Sequence, residues 1–250
     1  MFCFKSTSND PWFNLATEEY LLKETSREYF FSYINDPSVV VGKHQNAYAE
    51  INMEYVRKNN IRVARRLTGG GAVFHDRGNL NFAFIVNGRE GHLVDFKKHT
   101  QPIIAFLDNL SVKAEFAGKN DLLLGGLKIS GNAEHVYRNR VLHHGTLLFD
   151  AHLTGLSEVL KVNPVKYHDR AVRSIRSRVV NIAGNLDGVM DIEQFRDRMN
   201  AFIRKEKGGK DYALTDREMK NIASLRDKKF TTWFQNTYKF TYCLLPSFFS

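Results

Sequence analysis

The stretch RRLTGGGAVFHDRGN, residues 65–79, is the most unusual segment of the chain, and the rest of the sequence is best interpreted outward from it. Two arginines precede three consecutive glycines, and a short apolar run then leads to a histidine and an aspartate. Glycine loses more backbone freedom on folding than any other residue, so three in a row weaken a helix or a strand. We therefore expect this glycine loop, which lies next to two arginines, to have a functional role.

Two interpretations of the glycine loop are open. Backbone N–H groups unobstructed by side chains can point into one concavity, and such nests bind phosphate oxygens. The neighbouring arginines would add charged donors with fork geometry. The alternative is a bulged hairpin turn without a ligand, although a hairpin turn needs only one or two glycines. The P-loop spacing G-x-x-x-x-G-K-[ST] is absent, so the loop is not a P-loop.

Composition and charge set wider limits. The chain has 250 residues, enough for a sizeable core in one large domain or two smaller ones, and a net charge of +9. This charge suits an anionic partner, but no helix-turn-helix, RNP or zinc-finger pattern supports a nucleic acid. The two cysteines, Cys3 and Cys243, make a disulfide framework improbable. Without an apolar span or signal segment, we expect a cytoplasmic protein that does not enter a membrane.

The pattern of apolar and turn residues predicts an α+β fold with mixed β-sheets flanked by helices. Asp10 and Pro11 mark the start of the first helix, and Asn52 is the candidate N-cap of another. Leu80, Phe82 and Phe84 alternate in a strand, with Val86 as a further candidate, which predicts one buried face. The segments predicted as strands are YFFSYI, SVVVG, IRVARRL, GNLNFAFIV, VKAEFAG, DLLLGGLKIS, AEHVYRN and VLHHGTLLFD; those predicted as helices are DPWFNLATEEYLLKET, NMEYVRKNN, TQPIIAFLDNL, DIEQFRDRMNAFIRKE and TDREMKNIASLRDKK.

The segment GKNDLLLGGLKISGNA, residues 118–133, holds a second candidate site. Lys128 lies in an apolar, glycine-flanked strand pattern, where an ammonium must either reach solvent along its stem or meet an anion. Base rates alone favour an exposed strand lysine. Asp121 could hold a hydrated Mg²⁺ that bridges phosphates, or could simply form an Asx turn.

Two further features have weaker signals. His143 and His144 are adjacent, and adjacent residues of a strand point to opposite faces, so they do not easily share one metal. Core packing with one histidine facing a site is the simpler interpretation. Arg173, Arg176 and Arg178 form a basic cluster that suits solvent or an acidic partner.

Taken together, RRLTGGGAVFHDRGN, NDLLLGGLKISGNA, HHGTLLFD and SIRSRVVNI resemble the lipoate–protein ligase A family in order and approximate spacing. The strong motifs run from about Met1 to Asn181, and weaker likeness continues to about Trp233. The resemblance implies the catalytic fold shared with biotin–protein ligases. It also implies an enzyme that activates lipoate with ATP to lipoyl-AMP. The lipoyl group then passes to a lysine of E2 subunits of 2-oxoacid dehydrogenase complexes or of the glycine-cleavage H protein.

The resemblance also assigns roles to residues of this chain. It overrides the base rate for Lys128, which becomes the catalytic residue that contacts both ATP and lipoate. The other implied ATP-binding residues are Arg66, Gly71, Ala72, Val73 and Phe74; the other implied lipoate-binding residues are Arg65, Gly70 and His75. Asp121 remains the candidate Mg²⁺ ligand because of its carboxylate, independently of the resemblance. Apolar strand residues around the loop would hold the dithiolane tail. The implied acceptor domains are acidic, which suits a basic enzyme.

The expected domain organisation is a lipoate- and ATP-binding core, residues 1–185, followed by a mainly helical part of the same domain, residues 186–250. Full-length members of the family carry a C-terminal accessory domain, and we expect it to be absent here or supplied by a separate protein. In the family, that domain takes part in the activation of lipoate. Its absence is therefore expected to impair activation more than transfer. Lys43 also stands where the family often shows arginine.

The main alternative function is a lipoyl or octanoyl transferase of the same fold that uses a preformed activated acyl group. Several such enzymes form a cysteine thioester. Both cysteines lie outside every motif, which argues against that route but leaves a cysteine-free transferase open. A nucleic-acid-binding module is the alternative from another class, and only the positive charge favours it.

Overall fold

Two β-sheets organise the part of the chain that the computed structural model describes, residues 1–88, 93–160 and 177–232. The strands are β1 (Phe2–Lys5), β2 (Tyr29–Ile34), β3 (Ser38–Val41), β4 (Arg62–Arg65), β5 (Val73–His75), β6 (Asn79–Asn87), β7 (Ala114–Ala117), β8 (Asp121–Leu124), β9 (Leu127–Tyr137), β10 (Arg140–Leu148) and β11 (Lys210–Asp211). The larger sheet has the order β11-β1-β2-β6-β10-β9-β8-β7, and the smaller has the order β4-β3-β5. Both contain parallel and antiparallel pairs, which confirms the predicted mixed sheets.

The helices of the described residues are α1 (Pro11–Glu24), α2 (Ala47–Glu50), α3 (Met53–Lys58), α4 (Phe96–Asn109), α5 (Leu153–Val159), α6 (Ile192–Glu206) and α7 (Asp216–Leu225). The predicted N-caps Asp10 and Asn52 accept hydrogen bonds from the first turns of α1 and α3. Capping boxes at Asp191 and Thr215 fix the starts of α6 and α7. Within the described ranges, no helix combines the length and apolar character needed to cross a bilayer.

The centre of the larger sheet is covered on both faces. Phe82 and Phe84 of β6 pack in the cluster that includes Phe106 of α4 and Phe195 of α6. The alternate residues of the strand, Ala83 and Ile85, pack in a second cluster with Leu21 and Leu22 of α1. The predicted alternation of Leu80, Phe82, Phe84 and Val86 on one face is therefore confirmed, and the opposite face is buried as well. A central strand with helices on both sides is apolar at nearly every position.

The smaller sheet excludes one of the two interpretations of the glycine loop. The strands that flank the loop, β4 and β5, are not hydrogen-bonded to each other, because β3 lies between them. β3 pairs in parallel with β4 and antiparallel with β5. The chain therefore crosses over β3 between residues 65 and 73, and the hairpin alternative was wrong.

Three predicted elements differ in detail. DLLLGGLKIS is a hairpin rather than one strand, since Gly125 and Gly126 have φ of 56° and 80° and turn the chain between β8 and β9. AEHVYRN is not separate from it, because β9 continues to Tyr137. Helix α4 begins at Phe96, earlier than predicted, with Asp95 as its N-cap.

Some predictions fall outside the described residues. These are Arg173, Arg176, Cys243 and the segment from Trp233 onward. In the C-terminal part that is described, α6 packs against α4 and β1, and α7 packs against α1. The division into residues 1–185 and 186–250 stays a prediction.

Candidate functional site

Arg66 organises the glycine loop from within. Its Nη2 donates to the carbonyl oxygens of Gly69 and Gly71, each at 2.7 Å, and its Nε donates to Thr68 Oγ1 at 2.9 Å. Its Nη1 donates to the carbonyl of Val40 on β3 at 3.0 Å. The guanidinium therefore binds two carbonyls of the loop on one side. Its hydrogen bond to Val40 connects the loop to the smaller sheet.

The amide groups of the loop are left available. Gly69, Gly70 and Gly71 donate no backbone hydrogen bond to any residue in the described ranges 1–88, 93–160 and 177–232. Gly70 is exposed and has φ of 94°, a conformation that favours glycine. Carbonyls held inward and free N–H groups are the arrangement expected of an anion-binding nest.

A close approach of two backbones positions this loop. A Cβ at Gly42, just after β3, would lie 2.1 Å from the carbonyl oxygen of Gly70, so no larger residue fits there. Lys43 N–H donates to the carbonyl of Thr68 at 2.8 Å. The segment after β3 thus holds the start of the loop.

Arg65 fixes the same neighbourhood. Its buried guanidinium donates from Nη1 to the carbonyls of Gly42 and Gln45, each at 2.8 Å. Burial lowers the pKa of both Arg65 and Arg66 to about 10, which leaves both side chains charged at neutral pH. The two arginines therefore place two positive charges behind the loop, and their observed hydrogen bonds hold protein carbonyls.

A buried polar chain connects the loop to the larger sheet. Thr68 Oγ1 lies 2.8 Å from His144 Nε2, and His144 Nδ1 lies 2.9 Å from the carboxylate of Glu18 on α1. The hydroxyl of Tyr33 donates to the same carboxylate at 2.9 Å. His144 donates from Nδ1 to Glu18, and Thr68 Oγ1, which lies beside His144 Nε2, accepts from Arg66 Nε. Glu18 also supplies the negative charge that offsets the buried Arg66.

The residues that end the loop differ in what they offer a ligand. The side chains of Ala72, Val73 and Phe74 pack in apolar clusters, and β5 pairs with β3 through its backbone. His75 is buried and its Nδ1 accepts from Asn35 Nδ2 at 2.9 Å. Burial, Arg66 and His144 together lower the pKa of His75 to about 3, so it is neutral.

Lys128, near the start of β9, forms an ion pair with Asp121, the first residue of β8. Lys128 Nζ lies 2.9 Å from Asp121 Oδ1, with 26% and 29% of the side chains exposed. A Cβ at Gly131 would lie 3.2 Å from Lys128 Nζ, so the glycine gives the lysine room to lie across the strand. The bulge in the β8–β9 pairing falls between Leu122 and Leu123, beside Lys128. Lys128 is thus a partly exposed cation with an anionic partner, which suits exchange of that partner for a ligand.

The structure brings some of the predicted site residues together. Arg65, Arg66 and the glycine loop share one hydrogen-bonded unit, and His144 links it to β10. Lys128 and Asp121 form a separate ion pair on β9 and β8, and Lys128 lies outside the part of β9, residues 132–137, that pairs with β10. Sequence reasoning did not identify Glu18, Tyr33, Asn35 and Thr68. Glu18 had a signal, because it lies among the apolar residues of α1 where a charged residue is unexpected.

Comparison with known proteins agrees with this geometry. The family model described as the lipoyl protein ligase A/B catalytic domain matches residues 10–204. Lipoate–protein ligase 1 of Staphylococcus aureus (strain Mu50) is 44% identical over 237 residues, which span 93% of this chain and 72% of that protein. Lipoate-protein ligase LplJ of Bacillus subtilis (strain 168) is 41% identical over 238 residues, with the same two coverages of 93% and 72%.

Solved structures give the same result. A bi-partite lipoate protein ligase from Thermoplasma acidophilum, studied with its E2 lipoyl domain, has a TM-score of 0.80 at 26% identity, covering 98% of each chain. A T. acidophilum protein with bound lipoic acid has a TM-score of 0.78 at 26% identity, covering 94% of this chain and 98% of that one. Lipoate-protein ligase A bound with ATP has a TM-score of 0.79 at 26% identity, with coverages of 94% and 97%.

Proposed function

We propose, since the chain belongs to the lipoyl protein ligase A/B catalytic domain family, that it activates lipoate with ATP and transfers the lipoyl group to a lysine of an acceptor protein. The ligase function predicted from the motifs agrees with the relatives and is preferred to transfer from a preformed acyl donor. The observation that carries the mechanism is the glycine loop, with its inward carbonyls and available amides.

The reaction has two steps. In the first, a carboxylate oxygen of lipoate attacks the α-phosphorus of ATP, and the bond to the bridging oxygen breaks as pyrophosphate leaves. In the second, the amine of the acceptor lysine attacks the carbonyl carbon of lipoyl-AMP, loses a proton and displaces AMP. Both steps develop negative charge on oxygen, so preorganised positive groups and N–H donors accelerate them.

Lys128 serves both steps in this proposal. Its ammonium leaves Asp121 for the lipoate carboxylate and the α-phosphate, and afterwards polarises the carbonyl of the mixed anhydride. The ion pair with Asp121 holds the ammonium in place before the ligand arrives. Preorganised charge of this kind contributes about 3–4 kcal/mol to a transition state, which corresponds to a few hundredfold in rate.

The glycine loop binds the phosphate region through backbone groups. Gly70 and Gly71 offer their amides, and the segment from Ala72 to Phe74, whose side chains pack in apolar clusters, borders the nucleotide. Arg65 and Arg66 act mainly by holding the loop and by their charge. His75, neutral and buried, contributes to the wall of the lipoate site as an uncharged group.

Mg²⁺ is the cation that ATP chemistry implies. Asp121 offers a hard carboxylate oxygen on a partly exposed side chain, and Mg²⁺ is commonly bound through one or two carboxylates, water and substrate phosphates. Asp121 therefore fits the role that the sequence suggested. The cation would neutralise part of the phosphate charge, while Lys128 remains the group that meets the carboxylate.

The proposed acceptors are the acidic lipoyl domains of E2 subunits and the H protein. The net charge of +9 supports them, because electrostatic complementarity speeds encounter with an acidic partner. The similarity to a bi-partite lipoate protein ligase of T. acidophilum supports a separate accessory protein as a further partner. We place both reactions in the cytoplasm.

The proposal is tested by lipoate-dependent ATP–pyrophosphate exchange, followed by intact-mass analysis of a lipoyl acceptor domain. Lys128→Ala should lower both exchange and transfer at least about a hundredfold. Lys113→Ala is the matched control, since Lys113 is an exposed lysine paired with Asp108. Transfer from synthetic lipoyl-AMP without exchange would indicate that activation needs an accessory protein. Failure of both steps, with and without such a protein, would contradict the proposal.

A further inference from the structure

A second cluster of chemically active side chains lies on the opposite face of β10 from His144. His99 Nδ1 and His143 Nδ1 each lie 2.8 Å from the same oxygen, Oε1 of Glu134. The side chains of Glu134 and His143 are 1% and 0% exposed, and that of His99 is 11% exposed. The ligase mechanism uses none of these three residues.

The fold holds the three side chains together from two directions. Glu134 and His143 are direct cross-strand partners on β9 and β10, so their side chains share one face. His99 reaches them from the first turns of α4. The backbone N–H of Asp95, the N-cap of that helix, donates to Glu134 Oε2 at 3.0 Å. This contact orients the carboxylate as an outer-shell hydrogen bond does in metal sites.

We propose that His99, Glu134 and His143 form a binding site for a divalent transition metal ion, with Zn²⁺ as the best fit. Two imidazoles and one carboxylate are a ligand set that Zn²⁺ uses in proteins. The nitrogen donors favour Zn²⁺ over Mg²⁺ or Ca²⁺, which prefer oxygen ligands. The candidate ligand atoms all lie within 4.8 Å of one another.

The distances suit a metal after a small adjustment. Tetrahedral zinc with bonds of about 2.0–2.1 Å places its ligand atoms about 3.3 Å apart. The observed 2.8 Å contacts would each lengthen by about 0.5 Å on that geometry. Binding at Nδ1 moves the ring proton of His143 to Nε2. That atom is buried without a hydrogen-bond partner among the described residues, so the metal–ligand bonds must also offset the cost of one unpaired buried N–H group.

The cluster also has a route to solvent. His99 lines a cleft of about 190 Å³ together with Phe84, Pro102 and Val141. Water from this cleft can complete the coordination, since three protein ligands leave one tetrahedral position open. A metal here would tie α4 to β9 and β10. It would thereby stabilise β10, the strand whose opposite face presents His144 to the glycine loop.

The test uses full-length protein without a histidine tag, stripped with a chelator and assayed in the absence of lipoate and nucleotide. Titration with Zn²⁺ should show one equivalent bound and a raised Tm, and Co²⁺ should give the visible absorption of four-coordinate cobalt. His99→Gln and Glu134→Gln should each weaken Zn²⁺ binding at least about a hundredfold, because loss of outer-shell partners alone costs ~10–100-fold.

His135→Gln is the matched control, because His135 neighbours Glu134 on β9 and points to the opposite face. Its affinity for Zn²⁺ should stay within about threefold of the wild-type value, a difference of less than 1 kcal/mol. Circular dichroism checks that each variant is folded. The proposal is overturned by a wild-type protein that takes up no metal, or by binding that survives in both ligand variants. The three residues would then be only a hydrogen-bonded tether between helix and sheet.

Discussion

His143 and His144 are neighbours on β10, yet they belong to two different buried clusters. His144 faces α1, binds the Glu18 carboxylate and continues through Thr68 and Arg66 into the glycine loop. His143 faces α4 and binds Glu134, which also binds His99. Each cluster joins histidine to a buried carboxylate, but only the first is continuous with the proposed ligand site.

The difference shows how a strand separates two functions by one residue. Successive side chains of a strand point to opposite faces, so one sequence step moves a histidine from one layer of the fold to the other. In the first cluster, the Glu18 carboxylate offsets the positive charge of the buried Arg66, and the hydrogen bonds of Arg66 shape the loop. Among the described residues, the cluster of Glu134 contains no arginine, and it connects α4 to the larger sheet. Variants on the two faces should therefore differ in what they do to ligand binding.

The largest effect is expected for Glu18→Gln. Neutralising this carboxylate leaves the buried Arg66 without its compensating charge, so the free energy of unfolding should fall by about 3 kcal/mol. The remaining folded protein should bind lipoyl-AMP weakly, because Arg66 no longer holds the loop carbonyls in place. Chemical denaturation and calorimetric titration measure the two effects.

Glu134→Gln is the comparison on the other face. It should also lower stability, by about 1.5–3 kcal/mol for hydrogen bonds to a charged group. The affinity of its folded fraction for lipoyl-AMP should stay near the wild-type value. Equal losses of affinity in the two variants would contradict the separation of the two faces.

The next effect is the pH dependence of stability from His75. Its native pKa of about 3 lies below the unfolded value near 6.5, so the native state binds fewer protons between these limits. The stability is therefore present above pH 6.5 and is lost as the pH falls, by about 2 kcal/mol from pH 7.5 to pH 5.

His75→Asn keeps an acceptor for Asn35 and removes the titrating ring. The difference in unfolding free energy between pH 7.5 and pH 5 should be smaller in this variant by about 2 kcal/mol. Urea denaturation at both pH values gives the comparison. An unchanged pH dependence would show that His75 is not held neutral by burial beside Arg66 and His144.

A smaller effect is expected for Gly70→Val. The positive φ of Gly70 disfavours a branched side chain, and its Cβ would lie 2.9 Å from Arg66 Nη2. Affinity for lipoyl-AMP should fall at least tenfold, which is about 1.4 kcal/mol. Gly208→Val has a similar backbone strain at φ of 55° but lies after α6, so its affinity should not change.

The smallest effect is expected for Thr68→Val, which removes the hydroxyl between Arg66 and His144 while keeping the shape of the side chain. Loss of the contacts to Arg66 and His144 should cost about 1 kcal/mol of stability and a few-fold of affinity for lipoyl-AMP, because Arg66 Nε keeps the carbonyl of Gly69 as an acceptor. Thr68→Ser should retain both. A serine variant as weak as the valine variant would show that the methyl group, and not the hydroxyl, positions the loop.

The sequence was most informative where local rules decide the structure. The caps at Asp10 and Asn52 and the opposite directions of His143 and His144 follow from helix ends and strand alternation. The continuous burial of β6 did not follow, because it depends on helices that pack on both faces from distant parts of the chain.

The candidate site shows the same limit. The glycine run and Lys128 could be found from local pattern and family resemblance. The links from Glu18 to His144 and from Arg65 to Gly42 join residues far apart in the chain, and only the fold brings them together. The direction of the Arg66 side chain, toward the loop carbonyls, likewise depends on β3 lying between β4 and β5.

The most direct test of the central claim is nuclear magnetic resonance of the loop amides with lipoyl-AMP. The N–H groups of Gly69, Gly70 and Gly71 are available in the structure and are proposed to face the phosphate. Saturating ligand should shift these resonances and slow their hydrogen exchange, while the amides of His99 and Glu134 on the opposite face stay unchanged. Saturation without any change at the three glycines would contradict the account, because the ligand would then bind elsewhere.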